Sequence, residues 1–191
     1  MEFMQCGARK LLFLIVICLV GCSTPPDAYH DQNMDFGAIQ TIAVMPLANF
    51  TRENLAAERV RDVFITKLLS TGALYVLPVG EVAKGIAKAD LTAPTTPSPE
   101  EVVKLGGLIK VQAVITGAVK EYGEARASTA AANVISVSLQ MVETQTGKIV
   151  WSASSTMGGI STSDRLFGGG GQPMEKVTEK AVNDLIRKLF K

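Results

Sequence analysis

Beyond position 22 this 191-residue chain has no cysteine, since Cys6, Cys18 and Cys22 are its only three. Downstream of Cys22 it can therefore form no disulfide, no thiolate metal site and no cysteine nucleophile. Histidine is nearly as scarce, with His30 the only one. His30 falls in an aperiodic stretch with Pro25, Pro26 and several aspartates, which reads as a tether rather than a fold. A Ser-His-Asp triad needs a positioned imidazole, so hydrolytic triads and histidine zinc sites are excluded. Neither sign of charge prevails: 19 basic residues stand against 18 acidic ones. No basic excess points to nucleic acid. No segment after residue 21 is apolar for long enough to be a transmembrane helix.

What is present begins at the N-terminus. Arg9 and Lys10 precede an apolar block, Leu11 to Val20, which is too short to span a bilayer, where about 20 residues are needed. The block ends in Leu19-Val20-Gly21-Cys22. Positive charge, short apolar run and small residue fall in the order of a signal peptide. The four residues resemble the lipobox of bacterial lipoprotein precursors. The resemblance implies lipidation of the Cys22 thiol, removal of residues 1–21, and acylation of the new N-terminus. Burial of acyl chains contributes about 0.8 kcal/mol per CH₂, so several chains anchor stably. Ser23, rather than an aspartate, follows the cysteine, which resembles the outer-membrane sorting signal of Gram-negative lipoproteins. Residues 1–21 hold Arg9, Lys10 and Glu2, so the remainder is formally neutral.

The expected organisation is a signal peptide over 1–21, a lipidated flexible tether over 22–37 and one folded domain over 38–191. Fully extended, Ser23 to Gly37 would reach about 50 Å. Ile42-Ala43-Val44-Met45, stopped by Pro46, reads as a buried strand. Asn54 to Ser70 places Ala56, Val60, Val63, Phe64 and Leu68 at helical spacing, with Gly72 as the stop. Leu74 to Val79 is a second strand, and a short helix lies around Glu81 to Lys88. Ser98-Pro99-Glu100-Glu101 opens another helix, with acids suited to its N-terminal dipole. A strand starts at Ala113 and runs toward Tyr122. From Val134 to Glu143, Ile135, Val137, Leu139 and Met141 alternate with Ser136, Ser138 and Gln140. Thr146-Gly147 turns this strand into Lys148 to Ser155 as an antiparallel hairpin. Gly158 to Gly171 is a Gly/Ser-rich connection, and Pro173 starts a terminal helix through Phe190. The order β-α-β-α-α-β-β-β-α predicts an α/β fold. It is a single-domain, three-layer-like sandwich with a mixed β-sheet flanked by helices.

Few residues offer chemistry. Glu121 and Glu124 flank Tyr122 and could form an acid–base pair, although two glutamates near a turn more often form a solvated edge. Gly168-Gly169-Gly170-Gly171 lacks the Lys-Ser/Thr of a phosphate cradle and reads as a hinge. Trp151 and Tyr122 are the candidate partner-binding aromatics. Trp151 also suits the core, on the expectation that it shares strand parity with Ile149.

Three stretches carry a wider resemblance. They are Ile42-Ala43-Val44-Met45-Pro46-Leu47-Ala48-Asn49-Phe50-Thr51, then Ala113-Val114-Ile115-Thr116-Gly117, then Gln140 to Ser152 with Thr146-Gly147 and Trp151. In this order and spacing they resemble the CsgG/LpoB-like family of envelope lipoproteins, related in fold to the TolB N-terminal domain. The first looks like an opening strand ending in P-x-x-N-x-T. The resemblance implies a periplasm-facing domain without enzymatic activity or cofactor. Such domains bind other envelope proteins and often self-associate. It leaves three roles: an accessory or assembly factor, a CsgG-like oligomeric secretion channel, and an LpoB-like activator of a peptidoglycan synthase. The channel would need strands of about 9–11 residues to cross a bilayer. Neither Ala125 to Ala132 nor Gly158 to Gly171 alternates in that way.

Overall fold

A computed structural model describes residues 28–127, 130–159 and 171–191. Among them, seven strands and four helices form one open α/β layer structure. The strands are β1 (Ala28–His30), β2 (Thr41–Val44), β3 (Ala48–Asn49), β4 (Tyr75–Val76), β5 (Ala113–Ala127), β6 (Ala130–Glu143) and β7 (Ile149–Gly158). The helices are α1 (Ala56–Thr71), α2 (Val79–Ala89), α3 (Pro99–Ile109) and α4 (Met174–Leu189). The sheet runs β1-β7-β6-β5-β2-β4, with β3 continuing the line of β2 along β5. β2, β3 and β4 are parallel to their neighbours, while β5, β6, β7 and β1 form an antiparallel meander.

Side-chain alternation along the central strands builds two cores. In β2 and the residue after it, Ile42 and Val44 point toward α1 and α4, and Ala43 and Met45 point toward α2 and α3. A strand buried on both faces reads as a continuous apolar run, which is why 42–45 has no polar break. The larger core packs Val60, Phe64 and Leu68 of α1 and Val177, Ala181 and Leu185 of α4 on Ile115, Ile135, Val137, Leu139 and Met141. The smaller packs Val82 of α2 and Val102 and Leu105 of α3 on Val114 and Val142. Local signals set the helix ends. Gly72 closes α1 with φ 65°, a left-handed conformation that costs glycine little. Ser98 accepts from the Glu101 N–H while the Glu101 carboxylate accepts from the Ser98 N–H, completing a capping box at α3.

The expected tether is shorter than its sequence suggests. β1 pairs with β7 (Ala28 opposite Ala153, His30 opposite Trp151), a 3-10 turn follows at Phe36–Ala38, and Met34 and Phe36 pack on the larger core. The open edge of β7 supplies hydrogen bonds that no local pattern announces. Residues 23–27 lie outside the described residues, as do 160–170, which hold most of the Gly/Ser-rich connection.

Candidate functional site

The P-x-x-N-x-T segment folds into a braced loop. Asn49 ends β3 and its amide donates to the carbonyls of Glu53 (2.8 Å) and Asn54 (3.2 Å). Its Oδ1 accepts from the Thr51 N–H (3.0 Å) and the Thr51 hydroxyl (2.8 Å). Thr51 Oγ1 in turn accepts from the Glu53 N–H at 3.2 Å. Asparagine and threonine side chains satisfy turn backbone in this way, so the motif is structural. The loop holds Phe50 out in solvent, 70% exposed, beside the half-exposed Leu55. Glu53 pairs with Arg59 of α1 at 3.8 Å, tying the loop to the adjacent helix.

Arg59 also borders a groove of about 440 Å³ between α1, β5 and the start of α4, lined by Asp62, Val63, Tyr122, Met174, Glu175 and Thr178. Tyr122 is half-buried there and packs against the larger core. Of the two candidate aromatics it is the one with a surface to offer. Below the loop, Arg61 is half-buried and its Nε donates to the Val44 carbonyl at 3.1 Å. Burial lowers its pKa, opposed by Asp62 and Glu58, and the guanidinium stays charged because it starts so high.

A second surface is the part of the sheet that α2 and α3 leave uncovered. Ala28, Tyr29, Lys120, Ser138, Gln140, Ser152, Ala153 and Ser154 line a shallow depression across β1, β7, β6 and β5. Ser136 and Thr156 extend it and share a hydrogen bond at 3.0 Å.

Trp151 is not a contact residue. It is fully buried, and its indole N–H donates to the Lys188 carbonyl at the end of α4 (3.1 Å). The parity with Ile149 fails as well: Met141 faces Trp151 but Val142 faces Ile149, so Val150 is an extra residue. This bulge buries Val150 and Trp151 in succession and leaves Ile149 exposed. His30, expected in a free tether, sits in β1 with its ring edge-on to Phe36 at 5.7 Å. Its Nε2 is buried and bonds to no hydroxyl among the described residues, so it activates no nucleophile there. Glu121 and Glu124 do not form a pair. They face Ser136 and Asn133 along a regular ladder, and a spacing of three residues puts them on opposite faces. Among the described residues, no group of three or more His, Cys, Asp or Glu could hold a metal. Leu19, Val20, Gly21 and Cys22 lie outside the described residues, as do Gly168, Gly169 and Gly170.

The family described as "Putative lipoprotein GNA1162-like" matches residues 35–188, nearly the whole described domain. The chain belongs to this GNA1162-like lipoprotein family. Among solved structures, the GNA1162 lipoprotein from Neisseria meningitidis is 18% identical with a TM-score of 0.57, over 79% of this chain and 98% of that one. PelC from Paraburkholderia phytofirmans, solved as a dodecamer, is 15% identical with a TM-score of 0.57, over 84% and 95%. The C-terminal domain of LpoB from Salmonella enterica is 16% identical with a TM-score of 0.49, over 66% and 86%. A comparison with curated proteins found no match. At these identities the likenesses to GNA1162 and PelC establish the fold alone. The GNA1162-like match takes in the Asn49–Thr51 brace, Phe50 and the Tyr122 groove. Phe50 drew no notice in the sequence, although the P-x-x-N-x-T pattern around it was the signal of an ordered loop.

Proposed function

We propose that the chain is an outer-membrane lipoprotein, anchored through acyl chains on Cys22 and facing the periplasm of a Gram-negative cell. In this reading it acts without catalysis, by protein–protein contact, as an accessory or assembly factor of an envelope system. The observation that carries it is membership of a lipoprotein family over 35–188 directly downstream of a lipobox-like Leu19-Val20-Gly21-Cys22. The Tyr122 groove and the rigidly held Phe50 are the contact surface it favours, because exposed aromatics on ordered loops make strong anchors. Self-association belongs to the same reading, supported by the dodecameric PelC with the same fold.

The secretion-channel alternative needs longer strands than this hairpin provides. Gly158, the end of β7, pairs with Val134, so among the described residues Glu124–Ala127 and Ala130–Asn133 continue as a two-stranded arm. Each side falls short of the ~9–11 residues of a membrane-crossing strand. The test of the proposal is Cys22→Ser expressed in a Gram-negative host. The expected result is an unprocessed precursor missing from the outer-membrane fraction. Normal processing and outer-membrane fractionation of the variant would contradict the proposal.

A further inference from the structure

We infer that the uncovered sheet face beside β1 is the membrane-facing surface of the domain and rests on phospholipid headgroups. The inference depends on the Cys22 anchor proposed above.

β1 begins at Ala28, so six Cα–Cα steps separate the lipidated residue from the folded domain. At no more than ~3.6 Å per residue, the leash is at most about 22 Å long. That is less than the width of a small domain, for which a radius of gyration near 13 Å per 100 residues is usual. The surface around Ala28 is therefore held near the bilayer. Ala28 borders the uncovered face with its side chain turned to the larger core, and Tyr29 beside it faces Ser152 across the β1–β7 pair. Helices α1 and α4 pack on the opposite side of the sheet and point away.

The polar side chains that line the depression are Tyr29, Lys120, Ser138, Gln140, Ser152 and Ser154, and every one of them can donate a hydrogen bond. No carboxylate lines the depression itself, and Glu121, opposite Ser136, stands at its margin. Phosphate and ester oxygens of lipid headgroups accept such bonds. Lys120 is exposed and matches their negative charge. Tyr29, 51% exposed, carries an apolar ring with a polar tip, the combination enriched at membrane–water boundaries. A surface of hydroxyls and one ammonium binds headgroups weakly by itself, and the leash supplies the high local concentration that makes weak contact sufficient.

The experiment uses the full lipidated chain reconstituted into phosphatidylethanolamine–phosphatidylglycerol vesicles. The mature sequence has no cysteine besides Cys22, so Ser152→Cys, Ser154→Cys and Lys176→Cys can each be spin-labelled singly. Lys176 lies on α4, on the far side of the sheet. Collision with a water-soluble relaxation agent is measured on vesicles and, in solution, on a form of each variant that lacks residues 1–22 and so carries no other cysteine. Labels at 152 and 154 are expected to become several-fold less accessible on vesicles, while the label at 176 is unchanged. Sedimentation with vesicles combined with unchanged accessibility at 152 and 154 would overturn the orientation and leave the anchor standing. Failure of the chain to sediment with vesicles would overturn the anchor, and the orientation with it. Two labelled positions guard against one variant that folds poorly.

Discussion

Trp151 shows how one residue can be read correctly for a wrong reason. Its burial comes from the bulge at Val150 and the hydrogen bond to Lys188, and strand parity has no part in it. Trp151→Ala is expected to cost about 3–5 kcal/mol in urea unfolding. Trp151→Phe, which keeps most of the ring and loses the N–H bond, should cost about 1–2 kcal/mol. Asp184 on α4 makes the pH-dependent contribution. Burial raises its carboxyl pKa, but Lys188 and Arg187, with the nearby Ser155 hydroxyl, outweigh this, and the net shift is downward. Its partners sit close, with Lys188 Nζ at 2.8 Å and Arg187 Nη2 at 2.9 Å. A carboxyl whose folded pKa is depressed adds stability that is complete above its unfolded value, near ~3.9 for aspartate. That stability is lost as pH falls through the folded value. Asp184→Asn should lower the urea midpoint at neutral pH and shrink the difference from wild type as the solution is acidified below about pH 4. An equal deficit at all pH values would remove Asp184 from the acid response.

At the scale of elements, strong periodicity was legible and short pairing was not. The alternation from Ile135 to Met141 and the helical spacing of Val60, Phe64 and Leu68 each bury a face, so composition records the structure. β1 and β3 have three and two residues. They exist because the edges of β7 and β5 offer unpaired backbone groups, a tertiary cause that leaves no local pattern. The same limit applies to the surface. Asn49 and Thr51 could be noticed as a motif, but whether Phe50 points in or out depends on how the loop is braced. Packing between elements is close where α3 meets the end of β6. A Cβ on Gly106 would lie 2.2 Å from Thr144 Cβ, and the Thr144 hydroxyl donates to the Val111 carbonyl beneath it. Gly106→Ala is therefore expected to destabilise by about 1–3 kcal/mol through overpacking, measured by thermal or urea unfolding. Gly107→Ala, with open space around it, is the control and should be close to neutral or slightly stabilising.

For the whole molecule, the point at which the fold begins sets how far it can stand from Cys22. The sequence suggested a tether of about 50 Å, long enough to carry the domain well away from the membrane. β1 and the turn at Phe36–Ala38 draw most of that stretch into the domain. The anchor proposed at Cys22 would then confine the domain to the membrane surface and limit its partners to those that approach the same surface. Phe50, Leu55 and the Tyr122 groove stand at the end of the sheet toward which β1 leads back to Cys22. The most direct test of this picture is the intact mass of the mature protein extracted from outer membranes, with fragmentation of its N-terminal peptide. The expected result is a chain that starts at Cys22 and carries a diacylglyceryl group on its thiol and an acyl chain on its amine. A mature N-terminus elsewhere, or an unmodified Cys22, would contradict it.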